Sequence, residues 1–245
     1  MGPTRREPVL YTGLAAGSSG AIKIKTTIAA SRAWTVAGLG IALFASPLIP
    51  ALFRLVSGPA QSSADYVARE IALFCALGVL LWIVVSRERL PLTSIGLLTE
   101  KRGRSLLWGL IGAVLCAVGL AACLGIVSYF DLPFGGENKS LFHAPVWATL
   151  ITVLRAAIIE EVFYRGYAIQ RLERLTGSTP IAVTLSLIVF AAAHYRQGIA
   201  GILIALAMGG ILSLLFVKRR DLLAVVAAHF IIDFIPNILL PMLAD

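Results

Sequence analysis

Glu160 and Glu161 stand side by side in the run "RAAIIEEVFYRGYAIQRLE", inside an otherwise apolar stretch, with Arg165 four positions after the second glutamate. Carboxylates in such surroundings either pair with a cation and hold helices in register, or remain available to take a proton from water. Spacing separates the two. Neighbours on a helix point about 100° apart, whereas residues four apart share a face. Glu161 and Arg165 therefore read as an intrahelical pair, with the acid on the N-terminal side, the better orientation. Glu160 has no such local counter-ion, although Arg155 precedes it on the same segment. It is the candidate general base.

Other chemistry-bearing residues fall further along. His194 closes "FAAAH", and His229 and Asp233 stand four apart in "HFIID", so imidazole and carboxylate share a helix face. Two imidazoles and several carboxylates can orient and deprotonate a water molecule. The same set, as Glu160, His194, His229 and Asp233, could hold a divalent metal such as zinc, because imidazole nitrogen and carboxylate oxygen both suit that ion. No His-Glu-x-x-His element accompanies them, and the metal question stays open. No serine or cysteine stands beside a base, which argues against an acyl-enzyme. Cys75, Cys116 and Cys123 lie in apolar blocks without paired spacing and read as packing residues.

The elements that must position these residues follow from composition. Hydrophobic residues make up 58% of the 245, charged residues only 14%, and the mean hydropathy is +0.88. Soluble domains are nearer half apolar and a quarter charged. Apolar blocks of membrane-crossing length recur near 33–53, 67–86, 105–129, 146–170, 180–195, 199–217 and 222–243, so the fold class expected is all-α, a polytopic membrane bundle of about seven helices. The net charge of +8 is spread in short clusters between these blocks, a pattern of membrane topology and not of a nucleic-acid stripe. Arg87, Arg89, Lys101, Arg102 and Arg104 follow the second span, Arg171 and Arg174 the fourth, and Lys218, Arg219 and Arg220 the sixth, while Lys139 is one of few in the alternate loops. The N-terminus is thus expected in the cytoplasm and Asp245 on the far side, as in a bacterial-type inner membrane. Residues 1–32 are expected to form a mobile cytoplasmic tail, 33–140 an N-terminal transmembrane region and 141–243 the catalytic one. Glycines at 109, 112, 119, 198, 201, 209 and 210 read as points of close helix approach.

At these residues the sequence resembles the CAAX prenyl endopeptidase type II family, also called CPBP or Abi intramembrane proteases. The carriers are "EEVFYR" followed by Gly166, then Phe190 and His194 in "FAAAH", then His229 and Asp233 in "HFIID", in that order, over about residues 141–240. The resemblance implies hydrolysis of a peptide bond within the membrane, with Glu160 activating water, His194 assisting, and His229 and Asp233 holding the developing oxyanion. Glu161 joins the catalytic set, with Arg165 and Phe190 as structural support. Asp233 stands where eukaryotic relatives usually carry Asn, and an ionised carboxylate cannot donate a hydrogen bond, which favours an orienting or ligating role there. The implied partners are a peptide or protein C-terminus, with or without a lipid, and membrane lipids, with no nucleic acid. Two alternatives carry different expectations. A non-catalytic scaffold, as in bacteriocin immunity, would not need the intact motif set, and a proton-coupled transporter would show inverted halves with broken helices, which the sequence lacks.

Overall fold

The computed structural model describes residues 18–58, 63–97, 102–135 and 145–244. The expectations for residues 1–17 and for Lys101, Lys139 and Asp245 fall outside this range. Among the described residues there is no strand. The helices are α1 (Ser18–Ser57), α2 (Ser63–Trp82), α3 (Arg102–Tyr129), α4 (Val146–Glu160), α5 (Gln170–Thr176), α6 (Thr179–Ala193), α7 (Gly198–Arg219), α8 (Leu222–Phe234) and α9 (Leu240–Ala244). Three π-helical segments join some of them end to end: Ile83–Arg87 extends α2, Glu161–Ile169 links α4 to α5, and Ile235–Leu239 links α8 to α9. Among the described residues the result is seven rods, as the apolar blocks require.

Five of the rods are long and apolar enough to cross a membrane: Arg32–Ser57, Ala64–Arg87, Arg102–Tyr129, Tyr195–Arg219 and Leu222–Leu243. The other two depart for identifiable reasons. The fourth rod carries Arg155, Glu160, Glu161, Arg165 and Arg171. Helix α6 has only 15 residues, about 22 Å at the α-helical rise against a hydrocarbon core of about 30 Å. It stops short, and His194 caps its end. Large apolar side chains such as Val36, Leu48, Val118 and Leu214 stand exposed around the bundle, as a surface solvated by lipid demands.

The first rod differs from expectation. Helix α1 begins at Ser18, so part of the stretch read as a mobile tail is helical. No glycine or proline falls between residues 21 and 37 to interrupt it.

Loops sort to the two ends of the bundle. Leu222 N–H donates to Gly96 O at 2.9 Å, and the Arg220 guanidinium donates to Glu173 at 2.7 Å and Gln170 at 3.0 Å, which gathers the segments after the second, fourth and sixth rods. Gly135 N–H donates to Gln197 O at 2.8 Å, joining the segments after the third and fifth. The basic loops therefore share one end.

Close helix contacts form where small residues permit. A Cβ on Gly109 would sit 2.7 Å from Ala227 Cβ, and one on Gly112 would sit 2.6 Å from Leu215 Cδ2, so α3 lies directly on α8 and α7. Gly209 likewise admits Leu187 and Phe190 of α6. Gly198 serves otherwise: at φ +79° it turns the chain against Pro133, a conformation glycine adopts without penalty. Gly210 is not a tight contact, having Leu187 Cδ2 at 3.9 Å.

Candidate active site

The π-helix Glu161–Ile169 is the centre of the bundle, with all nine of its residues buried. A π-helix is rare and is found mostly as short insertions at functional positions. Here α1, α4, α6 and α8 pack around it. The apolar block over 146–170 reads as one helical span, and within it a switch to π geometry begins at Glu161, the second residue of the dyad. Tyr164 anchors it. The Ser186 hydroxyl donates to Tyr164 O at 2.8 Å, and the Tyr164 ring meets Phe190 edge-on at 5.0 Å.

Within this frame four of the expected residues form one chain. Arg165 NH1 donates to Glu161 Oε1 at 2.8 Å, and the two side chains are 1% and 0% exposed. The same oxygen faces His229 Nδ1 at 2.7 Å, across 68 positions of sequence. His229 Nε2 in turn faces Asp233 Oδ2 at 3.3 Å. Arg165 is completed by Gly209 O at 3.2 Å and Ser213 Oγ at 3.4 Å. Among the described residues Glu161 Oε2 is buried without a hydrogen-bond partner. Leaving such an acceptor unmade costs about 1–3 kcal/mol. The chain thus runs from a sealed end at Arg165 to a more open one at Asp233, whose side chain is 36% exposed.

His194 and Glu160 flank the chain. Phe190 stacks beneath the Arg165 guanidinium at 4.3 Å and lies 4.7 Å from the His194 ring, so it relays position between the first and second motifs. His194 Nδ1 lies 2.7 Å from Phe190 O. Since a carbonyl only accepts, Nδ1 carries the proton and Nε2 is left as an acceptor in the neutral ring. Among the described residues no hydrogen bond or ion pair joins His194 or Glu160 to the Arg165–Asp233 chain.

Glu160 corrects the sequence reading. It is not without a counter-ion: Arg155 NH1 lies 3.8 Å from Glu160 Oε1, with the two side chains 12% and 13% exposed. Arg155 spends its shorter contact on Glu70, whose Oε2 accepts from Nε at 2.8 Å. Glu70 itself is buried. It falls inside the second apolar block, so the search for ionisable residues applied to the fourth, fifth and seventh blocks could have found it.

A second omission is at the loop end. Glu88 and Arg171 read as charges of the basic loops, yet they form a buried pair at 2.8 Å with side chains 2% and 1% exposed. Thr35 Oγ1 and Tyr167 Oη also donate to Glu88 Oε1, at 2.8 and 2.9 Å, and Arg171 NH1 donates to Ser94 O at 3.3 Å. No spacing rule links Glu88 to Arg171.

The donor set does not converge as a metal site requires. Both His229 nitrogens face carboxylates, and Glu161 Oε1 is shared with a guanidinium. Among the described residues no three His, Cys, Asp or Glu side chains converge on a common point. As arranged, the residues fit a hydrogen-bonded carboxylate–imidazole chain and do not fit a resident ion. The cysteines are free, with Cys116 and Cys123 buried and Cys75 exposed.

No curated protein and no solved structure matches the chain. A family model does. Residues 142–235 match the Rce1-like family, described as type II CAAX prenyl endopeptidase Rce1-like, and that interval holds the glutamate dyad, Arg165, Phe190, both imidazoles and Asp233. Residues 142–235 are thus similar to an Rce1-like domain, and the apolar helices make the chain an integral membrane protein.

Proposed function

We propose that the protein is an intramembrane endopeptidase that hydrolyses a peptide bond near the C-terminus of a lipidated peptide or protein, using water activated by Glu160. The observation that supports this most is the His229 contact with Glu161 at 2.7 Å, which brings the first and last sequence motifs of the matched family together within the membrane-embedded part of the bundle.

The chemistry proceeds from these groups. Glu160 accepts a proton from water as the water oxygen attacks the scissile carbonyl carbon. His194 Nε2, the free acceptor of its ring, orients that water or takes part of its proton. Negative charge develops on the carbonyl oxygen and is met by His229 Nε2–H, which leaves its long 3.3 Å contact with Asp233 while Nδ1 stays on Glu161 at 2.7 Å. Asp233 acts through His229, because an ionised carboxylate has no hydrogen to donate. Collapse of the tetrahedral intermediate breaks the C–N bond, the proton held by Glu160 passes to the leaving nitrogen, and a carboxylate and an amine result. Closure of this site to bulk water strengthens every electrostatic contact within it.

Orientation in the membrane follows from the loop ends. The basic segments after the second, fourth and sixth rods share one end of the bundle, and the positive-inside rule assigns that end to the cytoplasm. His194, which caps the far end of α6, and Asp233, the more exposed end of the chain, then lie toward the side of the bundle away from the cytoplasmic loops.

The test is cleavage by the full chain in proteoliposomes of a farnesylated CAAX peptide and its unlipidated analogue, with and without chelator. Cleavage of the farnesylated peptide that survives chelation is expected. No cleavage of any such peptide by folded protein would contradict the reading, and loss of activity on chelation, restored by zinc, would replace the water-only mechanism with a metal-assisted one.

A further inference from the structure

The surroundings of Glu160 extend to a residue outside the matched family region. Glu70 projects inward from α2 and is 5% exposed. Its Oε2 accepts from Arg155 Nε at 2.8 Å, and its Oε1 accepts from Arg69 NH2 at 3.3 Å. The backbone beneath it is pinned one turn earlier, where Tyr66 Oη donates to Ala148 O at 2.7 Å and lies 2.6 Å from Thr152 Oγ1. Helix α2 is therefore fastened to α4 at the level of Arg155.

A guanidinium presents five N–H groups in a rigid fork that matches a carboxylate edge to edge. Left free beside Glu160, Arg155 would close on it through two short hydrogen bonds. It does not. With Nε taken by Glu70, only NH1 is turned to Glu160, at 3.8 Å, outside hydrogen-bond range. Glu160 thus has a compensating charge nearby, and among the described residues no hydrogen bond occupies its oxygens.

We propose that Glu70 is a positioning residue for Glu160: by holding Arg155 in its own ion pair, it keeps the guanidinium close enough to balance the Glu160 charge and too far to occupy its oxygens. The proposal rests on the assignment of Glu160 as the water-activating group. Glu70 acts solely through Arg155, which sets the form of the test.

Full-length variants are reconstituted in proteoliposomes, and kcat and KM are measured on a farnesylated CAAX peptide beside melting temperature. Glu70→Gln should lower kcat about 10- to 100-fold, the scale of a misplaced catalytic environment, with KM changed less than twofold. Glu70→Asp, which keeps the carboxylate, should recover most of that loss. In an Arg155→Gln background Glu70→Gln should cost nothing further, because the group it restrains is gone. Arg155→Lys, which cannot bridge two carboxylates as a fork, should show the same kcat-selective loss and serves if Glu70→Gln does not fold. Parent kcat in Glu70→Gln or Arg155→Lys, a loss confined to KM, or an undiminished Glu70→Gln loss in the Arg155→Gln background overturns the proposal. A Glu160→Gln control separates the two levels: if it is inactive while Glu70→Gln is normal, only the positioning role fails, and if it cleaves normally the water-activation reading fails first.

Discussion

At the loop end of the central π-helix, Glu88 meets Arg171 with both side chains almost wholly buried. At the other end Glu161 meets Arg165 in the same way. Their surroundings differ. Both Glu88 oxygens are occupied, by Thr35, Tyr167 and two nitrogens of Arg171, and the remaining Arg171 donors reach Ser94. Among the described residues Glu161 concentrates Arg165 and His229 on one oxygen and leaves the other buried without a partner. A fully satisfied polar network rigidifies the bundle, whereas a buried acceptor left without a partner weakens it. The same pair type is thus fully satisfied in one place and, at the proposed site, only partly so.

The comparison breaks most visibly at the deep end. His229→Ala removes the link between Glu161 and Asp233, and turnover of a farnesylated peptide should fall at least about 100-fold. Arg165→Ala should lower folded yield in detergent as well, since removing one partner of a buried pair costs about 3–5 kcal/mol. An Arg165→Ala protein as stable as the parent but inactive would move Arg165 from support into the reacting set.

At the loop end the expectation reverses. Glu88→Gln should lower thermal stability in detergent by a comparable about 3–5 kcal/mol, because Arg171 keeps its charge and loses its counter-ion. Turnover per folded molecule should stay within about threefold of the parent, far from the general-base scale. A catalytic loss without destabilisation would erase the distinction between the two ends.

Smaller effects sharpen the contrast. Asp233→Asn keeps an oxygen that can accept from His229 Nε2, so activity measured on the same peptide should remain within about tenfold. The ion pair between Arg220 and Glu173 lies outside the spans and is partly exposed. The hydrogen bond from Arg220 holds the Glu173 carboxyl below its ordinary value, aided by Thr179 and the Arg220 charge. Its contribution to stability is complete above the ordinary carboxylate range and is lost as pH falls through the depressed folded value. Melting curves should show a small acid-side loss that Glu173→Gln abolishes.

Much of this was legible in the sequence because the membrane makes ionisable residues conspicuous. Seven apolar blocks gave the seven rods, and the four-residue spacings of Glu161 with Arg165 and His229 with Asp233 gave two real contacts. What was not legible depends on tertiary placement. The π geometry of 161–169 is imposed by packing on every side and has no periodic signature. Glu88 and Arg171 read as loop charges because burial between rods cannot be inferred from local composition. Glu160 read as unpaired because its neighbours, Arg155 and through it Glu70, approach from geometry that spacing of five and from another helix does not reveal.

The central claim is that Glu160 supplies the base. Its most direct test is the Glu160→Gln protein, purified folded and reconstituted in membranes, assayed on a farnesylated CAAX peptide beside the parent. The amide keeps the shape of the side chain but cannot take the proton, so cleavage should fall by about 10²- to 10⁴-fold with melting temperature held. Cleavage at the parent rate by that folded variant would contradict the account.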